Sequence, residues 1–223
     1  MPHQGPDHGD TLPDVIREID GPAGPLEVLI EMPEGDPRAA VVFAHPLPTE
    51  GGTMHTKVVF QATKALARMG CAVLRFNFRG VGRSAGQWDE GRGELDDYRA
   101  AAGFMAARYP GTELWAAGFS FGAYVALTVG AEDDRICALI GVGPPVDRYD
   151  FDAVKKSAKP KFIIHAEADE LISLKAVREF YAQLAEPKEL VAIDRANHLF
   201  DGQATEVGDA IEDLLADFTC RTQ

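Results

Sequence analysis

The residues whose types and spacing best suggest chemistry are a serine and the two glycines on either side of it. Gly118, Ser120 and Gly122 form the pattern G-x-S-x-G, which follows a short apolar run and precedes helix-forming apolar residues. This pattern is typical of a sharp turn that holds a nucleophilic serine between a buried strand and a helix. The free N–H groups and the positive dipole end of such a helix face the charge that develops at the serine. Ser120 is therefore the candidate nucleophile, although the pentapeptide alone also fits a strand–helix junction with a capping serine.

Two further residues could activate that serine, because its hydroxyl is a weak nucleophile that needs a base held by a carboxylate. An apolar run at 161–165 leads into Asp169, and another at 190–193 leads into His198. The carboxyl ends of parallel strands meet at one edge of a sheet, where ligands bind. The order Ser, Asp, His along the chain is the one this architecture requires. We therefore predict a triad of Ser120, Asp169 and His198.

Other acidic residues compete with Asp169 for the role of the acid. Glu167 and Glu170 lie in the same loop, and Asp194 lies close to His198 in the sequence. Asp194 is the strongest of these rivals.

The negatively charged oxygen formed during attack on a carbonyl needs two backbone N–H donors. One is expected from Phe121, the residue after the nucleophile, and the other from the loop that begins at His45. Pro46 and Pro48 have no N–H, which leaves Leu47 between them as the predicted second donor. We expect His45 to brace this loop rather than to act as a second base.

Composition limits the classes of partner. The 223 residues are 46% hydrophobic and carry a formal net charge of −13, which argues against nucleic acid and against anionic membrane surfaces as partners.

The sequence has no H-E-x-x-H motif and no Cys/His cluster, so we expect no metal and no cofactor. The three cysteines Cys71, Cys137 and Cys220 are scattered and odd in number, and we predict reduced thiols in a cytoplasmic protein.

The predicted elements describe one α/β domain. We expect a flexible segment over residues 1–14, with neither a signal peptide nor a membrane-spanning run, followed by a single domain over 15–223. Buried strands alternate with helices after an antiparallel hairpin, which predicts a mostly parallel sheet with helices on both faces. The strands are expected at 15–19, 26–32, 39–44, 71–78, around 114, 136–142, 161–165 and 189–193, and the helices at 57–69, 94–108, after Gly122 to about 129, 173–185 and 207–218.

A dinucleotide-binding interpretation of Gly80, Gly82 and Gly86 fails on position. That motif needs a helix that begins within the glycines of the first strand–helix unit. Here the helical pattern begins only near Glu94, and several strands come before the glycines.

Together these residues resemble the α/β-hydrolase superfamily. His45-Pro46, Gly51-Gly52-Thr53-Met54, Lys57-Val58-Val59 and the run Arg75 to Gly82 are similar to those of small, lidless bacterial serine hydrolases related to the dienelactone hydrolases. The likeness spans residues 15–218. In that subgroup the loop usually reads His-Pro-His-Pro, so Leu47 replaces a histidine near the oxyanion. The dienelactone hydrolases proper use a cysteine nucleophile, so their substrate does not carry over to Ser120.

Many members of the superfamily cover the serine with a helical lid between the sixth and seventh strands. Residues 143–160, which join the corresponding strands here, contain prolines, charges and room for about one helical turn. We therefore expect no cap domain and an open cleft rimmed by the 47–54 loop and by the 143–160 segment itself, with Tyr149 and Phe151 as apolar contacts.

The combined expectation is a serine hydrolase that cleaves small acyl esters, as a carboxylesterase does. Thioesterase, amidase or acyltransferase activity would use the same triad, and a non-catalytic ligand-binding hydrolase fold is the alternative that is not an enzyme. The expected partner is a small-molecule ester. The oligomeric state is open, with a homodimer as one option.

Overall fold

The computed structural model describes residues 16–220. Within this range the strands are β1 Glu18–Ile19, β2 Leu26–Glu31, β3 Ala39–Ala44, β4 Ala72–Phe76, β5 Glu113–Phe119, β6 Ile136–Val142, β7 Lys161–Ala166 and β8 Lys188–Ile193. The α-helices are α1 Lys57–Arg68, α2 Arg92–Arg108, α3 Phe121–Glu132, α4 Asp152–Lys156, α5 Leu174–Gln183 and α6 Ala204–Leu215, and a short 3-10 helix spans Pro48–Glu50.

The eight strands form one sheet in the order β1-β2-β4-β3-β5-β6-β7-β8. The pairs β1–β2 and β2–β4 are antiparallel, and every pair from β4–β3 to β7–β8 is parallel. The parallel strands therefore all end at the same edge of the sheet. The predicted mostly parallel sheet with an antiparallel start is confirmed.

Helices cover both faces of the sheet, which explains why the central strands are continuous apolar runs. Val42 of β3 faces a core that includes side chains of α2, α3 and α5. Its neighbours Val41 and Phe43 face the opposite core, which includes side chains of α1 and α6. Because successive side chains of a strand point to opposite faces, a strand covered on both faces buries its side chains at every position, which favours apolar residues.

The loop after β3 is held by a buried histidine. The His45 ring accepts a hydrogen bond from the Phe78 N–H at Nε2 (3.1 Å). Its proton must then lie on Nδ1, which donates to the Pro46 carbonyl oxygen at 2.7 Å. Burial lowers the pKa of His45 to about 4, so the ring is neutral at pH 7. His45 thus ties the start of this loop to the end of β4, in agreement with the expected bracing role.

Several helix boundaries differ from those expected, among them α3, which ends at Glu132 rather than near residue 129, and α5, which spans Leu174–Gln183 rather than 173–185. Helix α2 begins at Arg92 rather than Glu94, because the Glu94 carboxylate accepts the backbone N–H of Gly91 and so belongs to the first turn. Helix α6 spans Ala204–Leu215 rather than 207–218. The Arg38 guanidinium binds the carbonyl oxygens of Leu215 and Phe218, and the Phe218 ring leaves the helix to pack between the rings of Trp115 and Phe162.

Two of the expectations fall on residues that the structure does not describe. The flexible segment over 1–14 and the first residue of the 15–19 strand lie outside the described range, and one domain over 15–223 stays a prediction. Between residues 16 and 220, no helix has both the length and the apolar character needed to cross a membrane.

The prediction of three reduced thiols is wrong for two of them. Cys137 and Cys220 form a disulfide, with their Cα atoms 6.0 Å apart, within the range that a disulfide requires. The segment after α6 folds back to the start of β6, and this approach across 83 positions leaves no trace in the local sequence. Cys71 is free and buried, and burial raises the pKa of its thiol to about 11.

The disulfide should contribute measurably to thermal stability. Cross-linking two residues 83 positions apart restricts the unfolded chain, an effect worth up to about 4.5 kcal/mol on chain-entropy grounds. We expect reductant to lower the Tm of the wild-type protein by up to roughly 15 °C. The matched control is Cys220→Ser, which should melt at the lower temperature whether or not reductant is present. Equal Tm values for reduced and oxidised wild type would contradict this expectation.

His45 should make the stability depend on pH. Its pKa is about 4 in the folded chain and about 6.5 when unfolded, so the unfolded state binds more protons between these values. The free energy of unfolding should therefore fall by about 3 kcal/mol as the pH drops from 6.5 to 4. His45→Gln should remove this part of the pH dependence, whereas the exposed His55→Gln should keep it. Chemical denaturation across this pH range tests the point, and parallel profiles for wild type and His45→Gln would count against it.

Candidate active site

Ser120 occupies the sharp turn between β5, which ends at Phe119, and α3, which begins at Phe121. Its backbone has φ of 54° and ψ of −121°, a conformation that is strained for a residue with a side chain. A side chain on Gly118 would collide with the backbone of Gly122, and one on Gly122 would collide with the carbonyl oxygens at the end of β3. The two glycines therefore make the turn possible, for the reason inferred from the pentapeptide.

The structure brings the three predicted triad residues into one hydrogen-bonded chain. Ser120 Oγ lies 2.9 Å from His198 Nε2, and His198 Nδ1 lies 2.7 Å from Asp169 Oδ2. An ionised carboxylate can only accept, so Nδ1 carries the proton and Nε2 is free to accept the serine proton. The arrangement can therefore raise the nucleophilicity of Ser120 by general-base assistance.

Asp169 follows β7, and its side chain is fully buried. Burial opposes the charged form, but the hydrogen bond from His198 and the backbone N–H donors of Ile172 and Leu171 outweigh it. Together they hold the pKa of Asp169 below its usual value. The carboxylate is therefore charged at neutral pH and can orient His198 and stabilise its protonated form.

The rival acids make other contacts. Glu170 Oε2 accepts the backbone N–H of His198 at 3.1 Å, and Glu167 Oε2 accepts the backbone N–H of Arg195 at 3.0 Å. Asp194 uses its main-chain carbonyl to accept a hydrogen bond from the Gln203 side chain. The carboxylate that binds the imidazole ring is that of Asp169.

His198 follows β8, so it reaches Ser120 past the ends of β7 and β6, the two strands that lie between β8 and β5. A Cβ placed on Gly143, directly after β6, would lie 3.6 Å from His198 Cε1. The His198 ring also packs beside Phe119, with centroids 5.6 Å apart. Only 4% of His198 is exposed, so the ring is surrounded by protein rather than by solvent.

The predicted oxyanion donors lie on two segments that touch. Gly122, in the first turn of α3, packs directly against the carbonyl oxygens of Ala44 and His45, where the loop carrying Leu47 begins. The Leu47 carbonyl oxygen accepts the N–H groups of Glu50 and Gly52, which closes the loop into a tight turn. The role of the Phe121 and Leu47 N–H groups as oxyanion donors stays a prediction.

Two residues that hold this loop had no assigned role in the sequence. Arg75 lies in β4 and Asn77 in the loop after it, and both side chains bind the main chain of Met54. Asn77 Oδ1 accepts the Met54 N–H at 2.9 Å, and Arg75 Nη1 donates to the Met54 carbonyl oxygen at 3.1 Å. The available signal was the run Arg75 to Gly82 on which the family resemblance rested.

One of the two aromatic side chains expected at the rim of the cleft does not lie there. Phe151 is only 2% exposed and packs against Phe180 in the core, so its predicted place on the rim is wrong. Tyr149 is half-buried and stacks on Tyr124 with centroids 4.3 Å apart. The exposed apolar side chains near the triad are Leu171 and Leu199, which are 47% and 52% exposed.

Two clefts and a group of possible metal ligands lie at the other end of the sheet. Clefts of ≈ 570 and ≈ 540 Å³ are lined by residues such as Arg38, Glu113 and Ile136, at the amino ends of the strands. Glu113, Cys137 and Cys220 also cluster there, but both sulfurs are in the disulfide. We therefore assign no metal to this group and no part in the serine chemistry to either cleft.

Comparison with known proteins places these features in a family. Residues 35–158 match the model of the serine aminopeptidase family S33. A Coxiella burnetii structure described as an alpha-beta serine hydrolase homologue is 37% identical, covers 89% of this chain and 95% of its own, and has a TM-score of 0.85. A Xanthomonas campestris structure described as an a/b serine hydrolase without lid is 39% identical, with coverage of 92% and 95% and a TM-score of 0.85.

A protein of Rickettsia prowazekii that has no described activity is 32% identical over 206 residues, which are 88% of this chain and 87% of that protein. The structural matches cover most of this chain, so they agree with the fold described above. The chain therefore belongs to the serine aminopeptidase S33 family and is a serine hydrolase with the α/β-hydrolase fold.

Proposed function

We propose that this serine hydrolase is a carboxylesterase that cleaves small acyl esters through Ser120, His198 and Asp169. The observation that carries the proposal is the continuous chain of hydrogen bonds from Ser120 Oγ through both His198 nitrogens to Asp169 Oδ2, at 2.9 and 2.7 Å. It joins a nucleophile, a base and an orienting acid in the order required for acyl transfer.

The reaction proceeds through an acyl-enzyme. Ser120 Oγ attacks the ester carbonyl carbon while its proton passes to His198 Nε2, and the carbonyl oxygen becomes negatively charged. The N–H groups of Phe121 and Leu47 stabilise that oxygen. The C–O bond to the alcohol then breaks, and His198 returns its proton to the leaving alcohol. Water then attacks the acyl-enzyme in the same way, which releases the carboxylic acid and restores Ser120. Neither acylation nor deacylation uses a cofactor or a metal.

The size of the acyl group is limited by what can cover it. Residues 143–160 contribute only the five-residue α4 between β6 and β7, too little to form a helical lid with its own apolar face. Leu171 and Leu199 instead offer short, exposed apolar contacts close to the triad. A methylene group adds up to about 0.8 kcal/mol of binding only while it is buried. Acyl chains of roughly two to six carbons should therefore gain most.

Peptide-bond cleavage is the second candidate, because the matching family model is described as serine aminopeptidase. The same triad can attack an amide, with His198 protonating the leaving amine. An aminopeptidase must also bind the free α-amino group of its substrate. Aminoacyl substrates therefore belong in the same experiment as esters.

Preference for short acyl esters is testable with a substrate panel. We expect kcat/KM for p-nitrophenyl esters to peak between about two and six acyl carbons, and to exceed kcat/KM for aminoacyl p-nitroanilides. Ser120→Ala is the control and should lose nearly all turnover and all labelling by a fluorophosphonate. A rate that climbs beyond about ten carbons would refute the open cleft. Faster aminoacyl cleavage would favour the peptidase, and an unlabelled wild type would favour a binding protein.

The assignment of the acid can be tested separately by comparing two aspartates. Asp169→Asn should lower kcat by about 10⁴-fold, because an amide in place of the carboxylate favours the wrong tautomer of the histidine. Asp194→Asn is the matched control and should cost far less, since Asp169 is the carboxylate bound to the His198 ring. Equal losses in the two variants, or a larger loss at Asp194, would reassign the role.

A further inference from the structure

A second histidine lies against the carboxylate that binds His198. His165, near the end of β7, is fully buried. Its Nε2 lies 3.6 Å from Asp169 Oδ2 and 2.9 Å from the carbonyl oxygen of Ile172. The catalytic steps above give this side chain no role, and burying a polar ring needs a physical reason.

The contacts of His165 determine which ring nitrogen carries its proton. A carbonyl oxygen can only accept, so Nε2 carries the proton and donates to Ile172. His165 Nδ1 is buried and has no hydrogen-bond partner within the described chain, so a proton there would be uncompensated. Burial also lowers the pKa of His165. The ring is therefore a neutral donor that points one N–H at the turn after β7.

That turn is held from two sides. Asp169 Oδ1 accepts the N–H groups of Leu171 and Ile172, both at 2.8 Å. His165 holds the carbonyl oxygen of the same Ile172. With Oδ1 bound to the turn, Asp169 Oδ2 faces His198 Nδ1 at 2.7 Å. The position of the Ile172 peptide and the orientation of the catalytic carboxylate are thus linked.

We propose that His165 is a positioning residue, whose neutral Nε2–H holds the turn at Ile172 so that Asp169 Oδ2 meets His198. This role depends on the proposed function in one respect, namely that the triad is the catalytic site. The titratable groups that act on His165 are Asp169 and, beyond it, His198. A positive charge on His165 would compete with His198 for Asp169, which is why a neutral donor suits this position.

Three substitutions separate positioning from mere packing. His165→Leu removes the donor, His165→Gln keeps an N–H near the position of Nε2, and His165→Asn places an N–H too far back to reach Ile172. We expect Leu and Asn to lower kcat for a short acyl ester by about 10- to 100-fold, the effect of a displacement of about 1 Å. KM should stay nearly unchanged, and Gln should recover most of kcat.

Activity must be counted per working site, so that lost folded protein is not mistaken for lost catalysis. Fluorophosphonate labelling of Ser120 gives the number of sites in each variant, and kcat is divided by it. If His165→Leu does not fold, the comparison of Gln with Asn still decides. Equal kcat per site in wild type and Leu, or in Gln and Asn, would overturn the proposal.

A second measurement needs no turnover. The proton on His198 Nδ1, bound to Asp169, should give a downfield ¹H NMR resonance that is absent in His198→Ala. We expect it unchanged in His165→Gln and shifted or broadened in His165→Asn. An identical resonance in both variants would overturn the positioning role even if no ester were hydrolysed. Loss of labelling and turnover in wild type, with this pattern intact, would instead overturn the proposed function alone.

Discussion

The strained backbone at Ser120 is the constraint on which the rest of the site depends. A residue with a side chain at φ of 54° is held there only by its surroundings. Here those are the end of β3, the start of α3 and the end of β6, where the Val142 carbonyl oxygen accepts the Ser120 N–H at 2.8 Å. Because Gly118 and Gly122 let these backbones touch, the serine, the start of the helix and the Leu47 loop come within reach of one another. The turn thus stabilises the arrangement that a nucleophile and the two predicted oxyanion donors would require.

The order of strands does the remaining positioning. Strands β7 and β8 are parallel neighbours, so Asp169 and His198 leave the sheet side by side. Strands β6 and β7 separate β8 from β5, and His198 spans that gap by lying over Gly143, directly after β6. Behind these residues, buried polar side chains fix the loops. His45, Arg75 and Asn77 hold the segment around Leu47, and His165 holds the turn that carries Asp169. Each makes hydrogen bonds inside the protein, where an unpaired polar group would be costly.

Much of this was predictable because local sequence carries it. Buried parallel strands are continuous apolar runs, and a serine turn needs glycines at fixed spacing, so the sheet and the positions of Ser120, Asp169 and His198 follow from pattern and chain order. Contacts between distant segments do not follow in the same way. Nothing in the sequence near Cys220 indicates that it pairs with Cys137, and nothing near Phe218 indicates that its ring packs on Trp115. The burial of Phe151 also depends on a contact with Phe180 of the distant helix α5. The buried role of His165 was likewise hidden, because its partner Ile172 is bound through a backbone carbonyl that any residue has.

The central claim is that Ser120 becomes covalently acylated during turnover, and trapping that intermediate tests it most directly. Wild-type protein is mixed rapidly with a short p-nitrophenyl ester, quenched in acid within the first turnover, and its intact mass is measured. We predict a burst of p-nitrophenol with a mass increase of a single acyl group, located on Ser120 by peptide mapping and absent in Ser120→Ala. An acyl group on Cys71 or another residue, or turnover that persists undiminished in Ser120→Ala, would contradict the account.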